Sequence, residues 1–293
     1  MKKIHSAALL FGISVSASCA ASGASAGATE LWRTTGFSSP ESVEWDAAAG
    51  VFYVSNMGAD PTAKDGDGYI SILGADGVVV AAKWATGLDG PKGLAAVGGK
   101  LYAADVGQLV EIDTATGAVV KRYPAPGSAL LNDVTAAPDG RIFVSDTFGN
   151  SVWVLDGGVM SIFAQSPMLM GANGLTVVGN ALIVADLGDV SQGFDKIKPG
   201  MVVSLDLTTK VITPYGSTDP SGVLDGIEPD GAGGVFVTDN GGGRLLRQAP
   251  GGVAAAVGTL EPGAADLEVV LDQGLILVPL TRSNSVVGLK WAN

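Results

Sequence analysis

LNDVTAAPDGRIFVSD, residues 131–146, is the stretch on which the fold turns. A short strand-patterned run (131–136) meets the turn signal Pro138-Asp139-Gly140, and a second run, IFVSD (142–146), follows it. Two such runs around a Pro/Asp/Gly turn read as an antiparallel β-hairpin. The unit returns at PESVEWDAAAGVFYVSN (40–56), PKGLAAVGGKLYAAD (91–105), ANGLTVVGNALIVAD (172–186), LDGIEPDGAGGVFVTD (224–239) and ADLEVVLDQGLILVPL (265–280). Two weaker strand patterns follow each of the first five, for instance QLVEID (108–113) and GAVVKRY (117–123). Each repeat is therefore a four-stranded antiparallel unit, and helix-period stretches are nearly absent.

The second residues of the copies are Glu41, Lys92, Asn132, Asn173, Asp225 and Asp266, at spacings of 51, 40, 41, 52 and 41. Six four-stranded units with a period of about 41 residues predict an all-β fold, a six-bladed β-propeller with two insertions of about ten residues. After the sixth hairpin only one strand pattern remains, SVVGLKW (285–291), so TELWRTT (29–35) is expected to supply the missing outer strand. The last blade is then closed by the N- and C-terminal strands together. If each first strand is innermost, the second residues converge on the axis at one mouth. The second-strand ends Asn56, Asp105, Asp146, Asp186 and Asp239 ring that mouth further out, and the insertions near 57–68 and 187–199 overhang it.

The chain has 293 residues, with 17 Lys and Arg against 29 Asp and Glu, a formal net charge of −12. This acidic excess argues against a nucleic-acid partner, which needs a basic face. Residues 1–26 read as a secretory signal, with Lys2 and Lys3 ahead of an apolar core (7–15) and an Ala24-Ser25-Ala26 cleavage site. That core is too short to span a bilayer, and no later stretch reaches the ~18 apolar residues required. The propeller is thus expected over 27–293, in a protein that is periplasmic or secreted. A lipid anchor at Cys19 is the less favoured reading, because Ser16 stands where a lipobox carries Leu. Cleavage removes Lys2, Lys3, His5 and Cys19 and no acid, so the mature charge becomes −14 and neither His nor Cys remains. Disulfides, cysteine–zinc and iron–sulfur sites, a Cys nucleophile and a Ser-His-Asp triad are then excluded.

Carboxylates and amides are left to carry the chemistry. Glu41, Asn132, Asn173 and Asp225 together offer oxygens suited to a hard cation such as Ca²⁺. A polar channel holding water is the ordinary alternative. Lys92 would repel a cation unless it pairs with Asp266 or Glu41 or points aside; bridging the acids, it would replace the cation.

The motifs PESVEWD (40–46), LNDVxxxPDG (131–140), NGL (173–175) and LDGI (224–227) resemble those of the regucalcin/gluconolactonase family of calcium-dependent six-bladed propellers. Diisopropyl fluorophosphatase, paraoxonase and strictosidine synthase are its relatives, and the resemblance runs over 27–293. It implies that Glu41, Asn132, Asn173 and Asp225 surround a catalytic divalent metal. It also implies that Asp225 acts as general base or nucleophile toward a lactone or ester. Sugar lactonases of this family hold substrate with an Arg two residues before the second-motif Asn, where this chain has Leu130. The histidine dyad of paraoxonase has no counterpart in the mature chain, and no additional pocket Glu of the strictosidine synthase kind is identifiable.

The expected activity is therefore Ca²⁺-dependent hydrolysis of a small lactone or ester, with other divalent cations able to use the same oxygens. Lys92, Asp266, Asn56, Met57 and Asp186 are the candidate substrate contacts at the mouth, and Phe37, Met168, Met170 and Phe194 candidates for an apolar wall. The alternative is a non-catalytic, NHL-like periplasmic binding or scaffold propeller with a structural metal or none. VSDTFGNSVWVL (144–155) resembles the strand-turn-strand of NHL repeats.

Overall fold

The computed structural model describes residues 27–193 and 196–291. The expected signal segment, with His5 and Cys19, lies outside the described residues, as does Phe194. Six four-stranded antiparallel sheets follow one another around an axis as blades 1 to 6. Blade 3 is representative: Leu131–Ala136, Ile142–Asp146, Ser151–Asp156 and Val159–Gln165, from the axis outward. Blade 6 runs Glu268–Val270, Leu275–Leu280, Ser285–Trp291, and its outer strand is Ala28–Thr35. Ala28 pairs with Trp291 and Thr35 with Ser285, so both chain ends close the ring as the sequence predicts.

Six apolar clusters fill the gaps between neighbouring blades. Ala95 and Leu109 of blade 2 meet Leu131, Val144 and Trp153 of blade 3. Phe236 and Leu245 of blade 5 meet Ile276, Val278 and Val287 of blade 6. Val43 and Phe52 of blade 1 meet Leu275 and Leu277 of blade 6. Each fully buried side chain of this size contributes about 1.5–3 kcal/mol. No blade can bury both of its faces alone, which is why the ring must close. Aromatic pairs add to the packing: Tyr53 stacks on Trp84 at 4.8 Å, and Phe236 meets Trp291 edge-on at 4.9 Å.

A shared defect shapes the inner strands. Leu131 pairs with Asp146 and Val134 with Val144, so Asn132 and Asp133 together oppose Ser145. The same slip falls at Glu41-Ser42, Lys92-Gly93, Asn173-Gly174 and Asp225-Gly226. This is a β-bulge, two residues against one, which re-aims a side chain at the cost of ladder bonds. In three blades a hydroxyl on the second strand satisfies the displaced N–H. Ser42 N donates to Ser55 Oγ at 2.8 Å, Asp133 N to Ser145 Oγ at 2.8 Å and Gly226 N to Thr238 Oγ1 at 2.9 Å. Hence the VSN, VSD and VTD endings of those strands.

The sixth blade corrects the sequence register. Ala264 bridges Leu280, and Ala265 N donates to Pro279 O at 3.0 Å. The bulge there is Ala265-Asp266, so the second residue is Ala265 and Asp266 is third. A 3₁₀ turn, Leu271–Gln273, replaces the tight hairpin turn, and no hydroxyl marks the second strand, so the pattern alone misplaced the register by one residue.

Third-position aspartates tie blades together. Asp133 accepts from Val134 N and from Leu175 N of the next blade. Asp266 accepts from Leu267 N and from the Ser42 hydroxyl of blade 1. Each rests against a glycine of the preceding blade: a Cβ on Gly93 would lie 2.3 Å from Asp133 Oδ1 and 2.4 Å from its Cα. Gly93→Ala is therefore expected to cost about 3 kcal/mol in urea unfolding, because backbone must move to admit the methyl. A loss below about 0.5 kcal/mol would show that the blades are not in this close register.

Candidate functional site

The bulges aim all six second residues, Glu41, Lys92, Asn132, Asn173, Asp225 and Ala265, into one cavity of about 510 Å³ at the mouth. Met57, Leu130, Phe148, Ile197 and Arg282 form part of its sides. Met57 is thus placed as the sequence suggests. Asn56 is not: it is buried, accepting from Ser38 N at 2.9 Å and donating to Ser71 Oγ at 3.0 Å. Asp266 does not line this cavity, since the register shift turns its carboxyl into the channel below. Asp186, Met168 and Met170 line a separate cavity on blade 4, and Phe37 belongs to the core between blades 6 and 1.

Side-chain bonds fix how the axial groups face. Thr147 Oγ1 donates its single proton to Ala172 O at 2.9 Å, so it accepts from Asn132 Nδ2 at 3.0 Å. That leaves the Asn132 amide oxygen buried with no hydrogen-bond partner, and Glu41 Oε2 is in the same state. Asp225 is held from both sides: Asn173 Nδ2 donates to Oδ1 at 3.1 Å and Asn240 Nδ2 to Oδ2 at 2.8 Å. Thr147 and Asn240 were not foreseen. Both immediately follow a strand-end aspartate, in SDT (145–147) and TDN (238–240), which is the position Met57 occupies in blade 1.

Charge is poorly compensated here. Burial first, then repulsion from Asp225, pushes the Glu41 carboxyl well above its ordinary value, with Lys92 opposing. Burial raises Asp225 to about 7, against the Asn240 and Asn173 hydrogen bonds. Lys92 does not bridge the acids: its Nζ donates to Pro61 O at 2.7 Å and Gly90 O at 3.0 Å. Burial lowers its pKa, and the charge of Glu41 works the other way. Two of its three donors are spent in this way.

The oxygen set fits a hard cation. Glu41 and Asn132 present buried oxygens without partners, beside the Asp225 carboxylate and the Asn173 amide. Among the described residues there is no cluster of three or more His, Cys, Asp or Glu able to hold a metal, since half of this set is amide. Below the bulges, Glu44, Glu228 and Glu268 line with Asp133 and Asp266 a second cavity of about 310 Å³, which among the described residues no Lys or Arg lines. Glu44 accepts from Ala96 N at 2.6 Å and Glu268 from Trp45 N at 2.9 Å, further inter-blade ties.

No protein-family model matches this chain, and no curated protein matches it in sequence. Solved structures share its fold. A gluconolactonase from Xanthomonas campestris superposes with a TM-score of 0.64 at 18% identity, over 89% of each chain. A streptogramin B lyase gives 0.64 at 14% identity, over 90% of this chain and 97% of its own. A catalytically inactive His-to-Ala virginiamycin B lyase from Staphylococcus aureus, with quinupristin, gives 0.61 at 14%, over 90% and 99%. The chain thus has a gluconolactonase-like propeller fold. Its one histidine, His5, lies outside the described residues.

The channel acids set a pH dependence. Burial, then mutual repulsion, raises Glu44 and Glu228 well above the ordinary carboxylate range, and burial raises Glu268 as well. A folded value above the unfolded one means the protonated form is favoured by folding. That stability is full below about pH 4 and is lost as pH rises through the folded values. Glu228→Gln is expected to raise Tm by about 3 °C at pH 8 and to leave it unchanged at pH 4. A lower Tm at pH 8 would contradict this reading.

Proposed function

We propose that the mouth cavity is the active site of a divalent-cation-dependent hydrolase acting on a lactone or ester. The observation that carries the reading is the pair of buried, unpartnered oxygens, Glu41 Oε2 and Asn132 Oδ1, around Asp225 on the axis. Glu41, Asn132, Asn173 and Asp225 would hold the cation, with Ca²⁺ the best match to carboxylate and amide oxygens. When bound, such an ion supplies Lewis-acid polarisation of a substrate carbonyl.

The residues of the chain do the rest. Asn240 and Asn173 fix the plane of the Asp225 carboxylate, so one oxygen lobe is presented to the cavity in a set direction. Asp225 would take a proton from water attacking the carbonyl carbon, or would attack that carbon itself, the C–O bond of the lactone or ester breaking as the alkoxy oxygen leaves and water then cleaving the acyl–aspartate. A nearby cation lowers the basicity that burial confers, so the two effects offset. Arg282, on the rim, and Lys92, on the wall, are the cationic side chains facing the cavity. They replace the guanidinium that Leu130 cannot provide and would orient a substrate carboxylate or hydroxyl. A cavity of about 510 Å³ accommodates a small-molecule substrate.

The gluconolactonase likeness supports this reading through the fold alone. The lyase likeness supports it less, because the His-to-Ala form of that lyase is catalytically inactive and no histidine lines this cavity among the described residues. Export also belongs to the proposal, through residues 1–26. Among the described residues no helix is long and apolar enough to cross a membrane.

Protein treated with EDTA should gain about 4 °C or more in Tm when millimolar Ca²⁺ is restored, because a ligand of the native state stabilises it by mass action. Asn132→Ala should abolish that gain. An unchanged Tm in the parent protein would exclude the cation site. Against a panel of lactones and aryl esters, Asp225→Asn should fold and lose about 10³-fold in kcat. Full activity in that variant would remove Asp225 from the chemistry. Arg282→Ala should raise KM roughly tenfold with kcat little changed, as expected for a group that binds ground and transition states alike.

A further inference from the structure

Blade 4 breaks a rule that four of the other five blades keep. In blades 1, 2, 3 and 5 the residue ending the second strand caps the loop that enters the blade, whereas the second strand of blade 6 ends in the apolar Leu280. Asn56 accepts from Ser38 N, Asp105 from Asp89 N and Gly90 N, Asp146 from Ala129 N and Leu130 N, and Asp239 from Val223 N. In blade 4 the corresponding loop donor, Gly171 N, goes instead to Asn150 Oδ1 of blade 3, at 3.0 Å. Asp186 is thereby released from structural duty. It is only 3% exposed, and its Oδ1 is buried with no hydrogen-bond partner.

The released carboxyl faces a cavity of about 210 Å³ walled by Pro167, Met168, Met170, Pro199, Met201 and Val203. Among the described residues no Lys or Arg lines it, and it shares no lining residue with the axial cavity. The wall is preformed. Met168 N donates to Ser166 Oγ at 3.1 Å, Leu169 N to Ser166 O at 3.0 Å and Gly188 N to Met170 O at 3.2 Å. Met168 and Met170 are 42% and 40% exposed, which leaves the cavity open to solvent on their side.

We propose that this cavity is a second ligand site, which takes a small aliphatic ammonium ion with its nitrogen on Asp186 and its carbon chain along the methionine wall. A buried carboxylate without a partner is costly, and a bound cation removes that cost. A hard divalent metal would need six or more oxygens, where the wall offers one carboxylate. An alkylammonium matches both halves of the cavity. Its N–H groups make charge-assisted bonds to the carboxylate, and its methylenes pack on thioethers, which adapt readily to ligand shape. An apolar cavity of about 150 Å³ takes a six-carbon ring, so the volume suits a ligand of roughly seven or eight non-hydrogen atoms. Burial alone raises the pKa of Asp186, so entry of the cation should expel a proton.

The test is calorimetric titration of the full chain with n-hexylammonium chloride at pH 7.5, with n-hexanol and sodium hexanoate as matched probes. Saturable binding of the ammonium alone is expected, weakened at least about tenfold in Asp186→Asn and unchanged in Asp225→Asn. Because no hydrogen bond from the described residues ties Asp186 Oδ1 to the fold, Asp186→Asn should remain folded. Should it not fold, methyl-labelled methionine spectra of the parent protein decide. The signals of Met168, Met170 and Met201 should shift with hexylammonium and not with hexanol. Equal binding of hexanol, undiminished binding in Asp186→Asn, or no saturable binding by the parent protein would overturn the proposal.

Discussion

At the start of each inner strand two residues stand against one, and most of what this molecule offers chemically follows from that bulge. Without it, the second and third residues would alternate across the blade like any others, and their side chains would enter the interfaces between blades. With it, the second residue turns to the axis and the third turns toward a neighbouring blade. One local irregularity, repeated around the ring, thus assembles Glu41, Lys92, Asn132, Asn173, Asp225 and Ala265 at one mouth. The same irregularity sets Asp133 and Asp266 as ties to the following blades. The hydroxyls of Ser55, Ser145 and Thr238 keep the distortion from stranding a buried N–H.

The apolar clusters between blades make the ring rigid enough for such a site to be useful. Rigidity lets the propeller hold unpaired oxygens and unneutralised acids near its axis without collapsing on them. Glu41, Asp225 and the channel acids Glu44 and Glu228 all sit above their ordinary pKa range because burial has outrun compensation. A cation at the mouth would relieve the first two. In the channel, Glu44 and Glu268 accept instead from backbone N–H groups of adjoining blades.

Much of this was legible in the sequence. Six copies of one hairpin and a single leftover strand pattern were enough for the blade count and for closure by 29–35. Five of the six axial residues were also readable, because each is flanked by a turn and a hydroxyl- or alanine-bearing second strand that fix its register. The sixth was not, since the 3₁₀ turn at Leu271–Gln273 hides the hairpin and puts Asp266 one place too early in the count. Orientation was harder still. Nothing in the pattern says that Lys92 would spend its donors on Pro61 and Gly90 carbonyls. Nothing in it says that Asn150 would take over the capping task of Asp186. Both depend on where loops from other blades lie, and a strand period carries no information about that. Asn240 and Thr147 escaped notice for a related reason: their partners, Asp225 and Asn132, are 15 residues away in each case.

The central claim is that the bulges converge four oxygen-bearing side chains on one cation. A crystal structure of the protein grown with millimolar CaCl₂ tests it most directly. The account predicts an ion on the axis with oxygens of Glu41, Asn132, Asn173 and Asp225 at about 2.3–2.6 Å, and Lys92 still turned toward Pro61. An axis without an ion, with the Lys92 ammonium swung between Glu41 and Asp225, would contradict it.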